Sequence, residues 1–311
     1  MADIVICEFM DEDAIAALSN DFDVHFDATL WQRPGALAAI LNSARGLIVR
    51  NKTQVSVQLI AAAPQLQVVG RLGVGLDNID VAACRERDIA VCPATGANAT
   101  AVAEYVIATT LILLRGAYQS RRRVLAGEWP REAFAHGREA AGKTLGLVGF
   151  GSVGQEVARL AKGIGMAVCA FDAMLSNDDP AWDCSDRVSF DEVLERSNVL
   201  SLHVPLTDQT RGLIGAGEIE RMKTGAILIN TARGGIVDEA ALVEALRTGK
   251  LSGAGLDVIE EEPLTLERAR IFEGLPNLIL TPHIAGLTQE ANGRVSTMTA
   301  EQVRRSLVGE R

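Results

Sequence analysis

The stretch that decides the fold is Lys143–Asp172, KTLGLVGFGSVGQEVARLAKGIGMAVCAFD. It opens with an apolar run over residues 144–148 that is typical of a buried strand, and the turn GFGSVG of residues 149–154 follows at once. Apolar residues then recur at helical spacing, at Val153, Val157, Leu160, Ala161 and Ile164. A second apolar run over 166–171 ends in Asp172. The order predicts a strand, a glycine turn, a helix and a second strand.

Each part of this unit has a physical use in binding a dinucleotide. Gly149 allows the tight turn, Gly151 lets the backbone approach a pyrophosphate, and Gly154 lets the helix pack against the strand. The N–H groups at the helix start, from Ser152 and Val153, would hold the pyrophosphate. Asp172, eighteen residues after Gly154, lies where a carboxylate accepts hydrogen bonds from ribose hydroxyls and repels a 2′-phosphate. NAD rather than NADP is therefore the predicted cofactor; a purely structural glycine turn is the alternative.

Composition limits the remaining classes of function. At 311 residues the chain is long enough for two domains, and its formal net charge of −10 argues against a general nucleic-acid role. Its five cysteines include no C-x-x-C pair, which favours free thiols in a reducing cytoplasm. Acidic residues interrupt the N-terminus, so no signal peptide is predicted. The longest apolar stretch, Ala101–Leu114, is too short to span a bilayer, and neither a membrane association nor a metal site is predicted.

The rest of the chain alternates strands and helices in two series. The first series runs over residues 1–93, and its predicted strands are Ile4–Phe9, Val24–Phe26, Gly46–Arg50, Leu66–Val69 and Ile89–Cys92. A long apolar helix over Asn98–Gly116 and a polar, solvated segment up to Gly142 lead to the second series. Its strands are predicted near 145–149, 167–171, 199–203, 226–230, 253–258 and 278–281, and the chain ends in a helix over Thr288–Leu307. This order predicts an α/β fold with two doubly wound parallel sheets.

Three chemically active groups follow strands of the second series. Arg233 follows one strand, the acid run Glu260–Glu262 another, and His283 a third. Because ligands bind outside the carboxyl ends of parallel strands, these groups are expected beside the cofactor. A guanidinium can hold a carboxylate, an imidazole can take a hydroxyl proton, and a carboxylate behind it can orient the ring. The set suits oxidation of a 2-hydroxy acid. Each group also has an interpretation without a catalytic role: a surface arginine, a solvated acidic loop, or a histidine that ends a strand.

The motifs together resemble a known family. Residues 149–154 (GFGSVG), 230–235 (NTARGG), Asp257 to Pro263 and the triplet Thr281-Pro282-His283 resemble the D-isomer-specific 2-hydroxyacid dehydrogenases, closest to the catalytic part of D-3-phosphoglycerate dehydrogenases. The resemblance runs from about residue 46 to 286. It implies Arg233, Glu262 and His283 as catalytic residues, with Glu262 paired to His283 and with Glu260 and Glu261 as bystanders.

The resemblance also implies the ligand contacts. Thr231 and Asp257 would contact the nicotinamide end of NAD, and His203-Val204-Pro205 would line the adenosine side. The full cofactor set is Gly149, Gly151, Ser152, Val153, Gly154, Asp172, His203, Val204, Pro205, Thr231, Ala232, Asp257, His283 and Gly286. The substrate would meet the N–H groups of Val74 and Gly75, the side chains of Arg233 and His283, and three arginines at phosphate-binding positions, Arg50, Arg71 and Arg131, the last from the partner subunit.

Domain organisation and substrate class follow from the same resemblance. It implies an NAD-binding Rossmann domain, residues 95–285, inserted in a discontinuous flavodoxin-like substrate domain, residues 1–94 and 286–311, with the helix from Asn98 in a homodimer interface. Several arginines at one site favour a second anionic group on the substrate, as in 3-phosphoglycerate, with 3-sulfolactate or a second carboxylate as alternatives. The competing class is a non-enzymatic NAD-responsive corepressor. A formate dehydrogenase is disfavoured, because that branch carries glutamine at the position of Glu262.

Overall fold

The computed structural model describes residues 2–309, and the chain contacts divide it into two compact units. One unit combines the residues up to Asn98 with those from Leu287 onward, and the other is Ala99–Gly286. The boundaries predicted from the sequence are 94/95 and 285/286. The first lies a few residues before the boundary in the structure, and the second lies one residue before it.

The first unit is built on a five-stranded parallel sheet. Its strands are β1 Ile4–Ile6, β2 Val24–Phe26, β3 Gly46–Val49, β4 Val68–Arg71 and β5 Ala90–Pro93. The helices between them are α1 Glu12–Ser19, α2 Pro34–Leu41, α3 Val57–Ala61 and α4 Val81–Glu86. The strand order β2-β1-β3-β4-β5 is the flavodoxin-like order. Side chains at the helix starts explain where three of the helices begin, since Asp11, Ser56 and Asp80 each accept a backbone N–H of the first turn.

The second unit is built on a seven-stranded parallel sheet. Its strands are β6 Thr144–Val148, β7 Ala167–Phe171, β8 Asp186–Arg187, β9 Val199–Leu202, β10 Ala226–Asn230, β11 Leu251–Leu256 and β12 Leu278–Leu280. Its helices are α5 Ala99–Arg115, α6 Arg121–Leu125, α7 Ser152–Gly163, α8 Phe190–Arg196, α9 Ala216–Arg221, α10 Glu239–Thr248 and α11 Leu266–Ala269. The strand order is β12-β11-β10-β9-β6-β7-β8, so the order reverses between β6 and β9. This is the Rossmann arrangement with one added strand, β12.

The last helix, α12 Gln289–Val308, returns to the first unit, where it packs on α1 and on the sheet. Gly70 explains how closely it lies on β4, because a Cβ there would stand 2.6 Å from a methyl of Val303. In the second unit the helix α5 packs on β11 in the same way: a Cβ at Gly255 would stand 2.6 Å from the methyl of Thr109. Small residues at these contacts thus let helices cover the sheets and bury their strands.

The fold class predicted from the sequence is confirmed, with local differences. Strand β1 ends at Ile6 rather than Phe9, and neither the two-residue strand β8 nor the helix α6 was predicted. Arg138, expected on a solvated face, is half-buried and donates to the carbonyl of Gly225 at 2.7 Å. Five short 3₁₀ helices complete the described structure, at Leu30–Gln32, Ala117–Ser120, Glu132–Phe134, Pro180–Cys184 and Arg270–Phe272.

Two further observations concern the chain as a whole. All five cysteines are free: three are buried, and Cys92 and Cys184 are partly buried. Across residues 2–309, no single helix has both the length and the apolar character to cross a membrane, although α5 and the segment Ala117–Leu125 pass as a pair bent by 64°.

Candidate active site

The turn after β6 is shaped by two glycines that admit no side chain. Gly149 has a φ of +94°, and a Cβ there would stand 2.5 Å from the carbonyl oxygen of His203. A Cβ at Gly154 would stand 2.4 Å from the carbonyl oxygen of Gly149. The Cβ position of Gly151, in contrast, is open for 4 Å around. Nothing in the unit itself therefore requires a glycine at 151, whereas a ligand lying against the backbone would.

Asp172 is tied into this turn. Its Oδ2 accepts the N–H of Phe150 at 2.7 Å, and its Oδ1 accepts the N–H groups of Met174 and Leu175 at 2.8 and 3.0 Å. The carboxylate at the end of β7 thus links the glycine turn to the loop after β7. A carboxylate has about four acceptor sites, so capacity remains for a hydroxyl.

His203, Val204 and Pro205 follow β9, the neighbour of β6 on the other side of the strand reversal. The ring of His203 shares a hydrogen bond with the hydroxyl of Ser201 at 2.9 Å. Burial lowers the pKa of His203 to about 4, so the ring is neutral at neutral pH. Val204 packs partly against the core, and Pro205 is exposed and accepts the hydroxyl of Thr210 at 2.6 Å.

The loop after β10 carries Thr231, Ala232 and Arg233. The side chain of Asn230 braces it, accepting the N–H of Ala232 at 3.0 Å and donating to the carbonyl of Arg233 at 2.9 Å. Arg233 donates from Nη1 to the carbonyl of Ala232 at 2.6 Å. The loop packs tightly on the acidic loop after β11, since a Cβ at Gly234 would stand only 1.7 Å from the carbonyl oxygen of Ile259. This contact fixes the two loops relative to each other.

Asp257, which is 2% exposed, organises the loop that carries the histidine. Its Oδ1 accepts the hydroxyl of Thr281 at 2.6 Å and the N–H of Ile284 at 2.8 Å, and its Oδ2 accepts the N–H of Ala285 at 2.8 Å. Its carbonyl accepts the N–H of His283, also at 2.8 Å. This set of bonds holds His283 at a φ of +57°, in the left-handed region that residues other than glycine seldom adopt.

His283 and Glu262 are in direct contact. Nδ1 of the ring lies 2.7 Å from Oε2 of the carboxylate, and the two side chains are 49% and 36% exposed. Partial burial raises the pKa of Glu262, but the hydrogen bond and charge of His283, the N–H of Ile259 and the charge of Arg233 outweigh it and hold the pKa below its ordinary value. An ionised carboxylate only accepts, so Nδ1 of the ring is the donor in this contact.

Glu239, which no sequence pattern indicated, supports the loop that carries Glu260. Glu239, buried at the start of α10, accepts the N–H of Glu260 at 2.6 Å and binds Arg268 at 2.9 Å. Arg268 in turn binds the carboxylate of Glu260 at 3.1 Å. These contacts fix the loop two residues before Glu262. A carboxylate in the first turn of a helix is so common that no sequence signal distinguished this one.

The first unit carries four of the predicted substrate residues. Arg50 and Arg71 stand at the carboxyl ends of the neighbouring strands β3 and β4, where Val49 pairs with Arg71. Arg71 donates to the carbonyl oxygens of Gly75 and Leu72 at 2.8 and 2.7 Å and so closes its own loop. Val74 at the tip of that loop is 39% exposed.

Arg131 lies in the second unit, in the exposed segment that follows α6. The neighbouring Trp129 is 82% exposed, the highest value of any aromatic residue between 2 and 309.

Comparisons with known proteins now decide the family. The family described as "D-isomer specific 2-hydroxyacid dehydrogenase, NAD binding domain" matches residues 107–285, more than half of the chain. The chain belongs to the D-isomer-specific 2-hydroxyacid dehydrogenases. It is an NAD-dependent enzyme that interconverts 2-hydroxy and 2-oxo acids, as the sequence predicted.

Three relatives illustrate the range of this family. A protein of Chromohalobacter salexigens named (S)-sulfolactate dehydrogenase is 53% identical over 308 residues, 99% of each chain. A D-3-phosphoglycerate dehydrogenase of Archaeoglobus fulgidus is 44% identical over 257 residues, which are 83% of this chain but 48% of that protein. The structure of a D-lactate dehydrogenase from Aquifex aeolicus, complexed with NAD and lactic acid, superposes with a TM-score of 0.84 at 29% identity, covering 99% of this chain and 96% of that one.

The second unit of the dehydrogenase fits NAD on observations of its own. The space above Gly151 is open, and no side chain caps the N-terminus of α7, which leaves its N–H groups to an anion such as a pyrophosphate. The hydroxyl of Thr231 is buried without a hydrogen-bond partner among residues 2–309, as expected of a group that a ligand satisfies. These features surround the strand reversal between β6 and β9, where ligands of doubly wound sheets bind.

Proposed function

We propose that this dehydrogenase interconverts (S)-sulfolactate and 3-sulfopyruvate. The observation that carries the proposal is the 53% identity, over 99% of both chains, with the protein named (S)-sulfolactate dehydrogenase. This substrate was an alternative in the sequence interpretation, which gave 3-phosphoglycerate as the leading example. Both substrates carry a second anionic group beside the carboxylate, the feature that several arginines favour.

The chemistry we propose uses the three side chains after β10, β11 and β12. Arg233 holds the substrate carboxylate in a two-bond fork and polarises the neighbouring C–O bond. Nε2 of His283 takes the hydroxyl proton during oxidation and returns it during reduction. Glu262 fixes the ring through Nδ1 at 2.7 Å and stabilises the imidazolium that forms. NAD, when bound, accepts the hydride that leaves C2, so a proton and a hydride leave the alcohol together.

The binding roles proposed for the remaining residues come from the family resemblance. The N–H groups of Val74 and Gly75 would bind the carboxylate, and Arg50, Arg71 and Arg131 would bind the second anion. Of the three arginines, Arg131 gives the cleanest test because its side chain makes no hydrogen bond or ion pair within residues 2–309. Arg71 also closes its loop onto Gly75, so its replacement would disturb the loop as well.

The deciding experiment is a comparison of kcat/KM across 2-oxo acids with NADH: 3-sulfopyruvate, 3-phosphohydroxypyruvate, oxaloacetate and pyruvate. We expect kcat/KM for 3-sulfopyruvate to exceed that for each other substrate by at least about tenfold, which is the factor that one well-placed charged contact supplies. Arg131→Ala should raise KM for 3-sulfopyruvate and spare pyruvate. The sulfonate assignment would be refuted if pyruvate had the highest kcat/KM. It would also be refuted if Arg131→Ala raised KM equally for 3-sulfopyruvate and pyruvate.

3-Phosphoglycerate is the second candidate, and it is favoured by the 44% identity with the Archaeoglobus protein. That relative is about twice as long as the aligned region, since the match covers 48% of it, so its whole activity transfers less directly. A tetrahedral sulfonate carries one charge where a phosphate carries close to two, so the ratio of the two kcat/KM values discriminates between the candidates.

We propose further that the enzyme is a homodimer of the cytoplasm. Large apolar side chains lie exposed before, at the end of and after α6, with Tyr118, Leu125 and Trp129 between 70% and 82% exposed, as expected of a surface that a second copy covers. Five free cysteines suit a reducing compartment. Light scattering behind size exclusion should give twice the chain mass of 33.1 kDa, and Trp129→Glu should lower it to one chain. A monomeric wild type would refute the dimer.

A further inference from the structure

Glu8 is a buried charge that the proposed mechanism does not use. It follows β1 closely, is 3% exposed, and directs its carboxylate at the turn after β3. Its Oε1 accepts the N–H groups of Arg50 and Thr53 at 2.9 and 3.0 Å. Its Oε2 accepts those of Asn51 and Lys52 at 3.2 and 3.0 Å. Every backbone N–H of the turn 50–53 therefore ends on this one carboxylate.

The location of this contact matters for ligand binding. Strands β1 and β3 are neighbours in the sheet order β2-β1-β3-β4-β5, and the order reverses between them. In a flavodoxin-like sheet this reversal is the crevice in which a ligand binds. Four converging N–H groups there would form an anion-binding nest, and the chain fills it with its own carboxylate. An external anion must then be bound by side chains of the turn.

Arg50 is the side chain so presented. Its Nη2 donates to Oδ1 of Asn292 at 2.6 Å, and its guanidinium lies over the ring of Phe9, 5.6 Å from the centroid. Phe9 is 53% exposed, so the contact supports the guanidinium at the surface. Two consecutive residues thus position Arg50: Glu8 binds its backbone N–H, and the ring of Phe9 packs against its guanidinium.

We propose that Glu8 is a positioning residue that fixes the turn 50–53 and thereby aims Arg50 at the second anionic group of the substrate. The proposal rests on the anion-binding role given to Arg50 above. Glu8 makes no contact with substrate. Its loss would leave four N–H groups without an acceptor, and the turn would rearrange to reach water. Discrimination in favour of dianionic substrates should fall, while proton and hydride transfer should continue.

The test is Glu8→Gln, which keeps the size of the side chain but sets an NH₂ group against two of the four donors. We expect KM for 3-sulfopyruvate to rise on the order of tenfold, because a displaced contact weakens binding by such factors. KM for pyruvate and kcat for both substrates should stay within about twofold. The control is Asp3→Asn at the other end of β1, where Asp3 binds Arg45 at 3.0 Å before β3 begins. It perturbs the same two strands and should not discriminate between the substrates.

A double-variant cycle separates this inference from the function beneath it. If Glu8 acts through Arg50, the pair Glu8→Gln/Arg50→Gln should have the same KM for 3-sulfopyruvate as Arg50→Gln alone. Additive effects, or equal losses on both substrates in Glu8→Gln, overturn the positioning role while the function stands. An Arg50→Gln variant that treats both substrates alike overturns the anion role of Arg50 as well. If Glu8→Gln does not fold, Glu8→Asp, which keeps the charge on a shorter arm, is held to the same KM criterion.

Discussion

Replacing Glu262 by glutamine isolates the charge of this carboxylate from its geometry. The amide oxygen can still accept the Nδ1–H of His283 at the present 2.7 Å, so the ring keeps its tautomer. Only the negative charge beside the developing imidazolium is lost. Because the pKa of Glu262 is held below its ordinary value of 4.5, that charge is present throughout an assay from about pH 6 to 10 and would be lost only in stronger acid.

The size of the effect follows from distance and exposure. Two unit charges 2.7 Å apart interact by about 1.5 kcal/mol in water and by about 3 kcal/mol where the effective dielectric constant is halved. Both side chains are more than a third exposed, so the lower figure applies. A loss of about 1.4 kcal/mol is tenfold in rate, and we expect kcat to fall about tenfold for oxidation, the direction in which the imidazolium forms.

The assay is kcat for oxidation within this pH range, followed by NADH absorbance. The control is Glu261→Gln, an exposed residue of the same loop, which should stay within about twofold of wild type. A Glu262→Gln variant whose kcat for oxidation stays within twofold of the wild-type value would refute the electrostatic role.

Three further outcomes can be measured directly. Gly149→Ala places a Cβ 2.5 Å from a carbonyl oxygen at a φ of +94°, so urea titration should show a loss of about 2 kcal/mol or more, whereas Gly163→Ala, in open space on α7, should be neutral or slightly stabilising. Asp172→Ala should weaken NADH binding and lower the ratio of the NADPH and NADH dissociation constants in fluorescence titrations. An unchanged ratio would mean that another carboxylate determines the cofactor specificity. Glu239→Gln keeps an acceptor for Glu260 but loses its charge, so kcat should fall by a few fold with NADH affinity preserved. Loss of NADH binding instead would argue that Glu239 supports the whole unit.

The sequence predicted the fold well because the decisive patterns are local. The glycine spacing of 149–154 and the apolar runs beside it reflect steric constraints between residues that are close together in the sequence. The strand β8 escaped prediction for the opposite reason. Its two residues, Asp186 and Arg187, are exposed and become a strand only because β7 offers Cys169 and Ala170 as partners. No periodicity can signal a strand of that length.

The site shows the same division between local and distant causes. Glu262 and His283 could be paired from the sequence through the family resemblance, and the structure brings them into contact. Asp257 was expected to contact the nicotinamide. In the structure its carboxylate accepts hydrogen bonds from Thr281, Ile284 and Ala285. That role depends on contacts more than twenty residues away along the chain. Spacing along one strand and loop could not reveal it.

The two sheets differ in whether backbone N–H groups remain for an anion at the strand reversal. In the second unit the reversal lies between β6 and β9, where Gly151 leaves open space and α7 begins without a side-chain cap, so backbone N–H groups remain for a ligand. In the first unit the reversal lies between β1 and β3, and Glu8 occupies the N–H groups. Backbone donors are common to all sequences and suit an invariant partner such as a pyrophosphate. Side chains such as Arg50 can be exchanged one at a time, so a turn whose backbone donors are already satisfied can change the anion it binds without a change of fold.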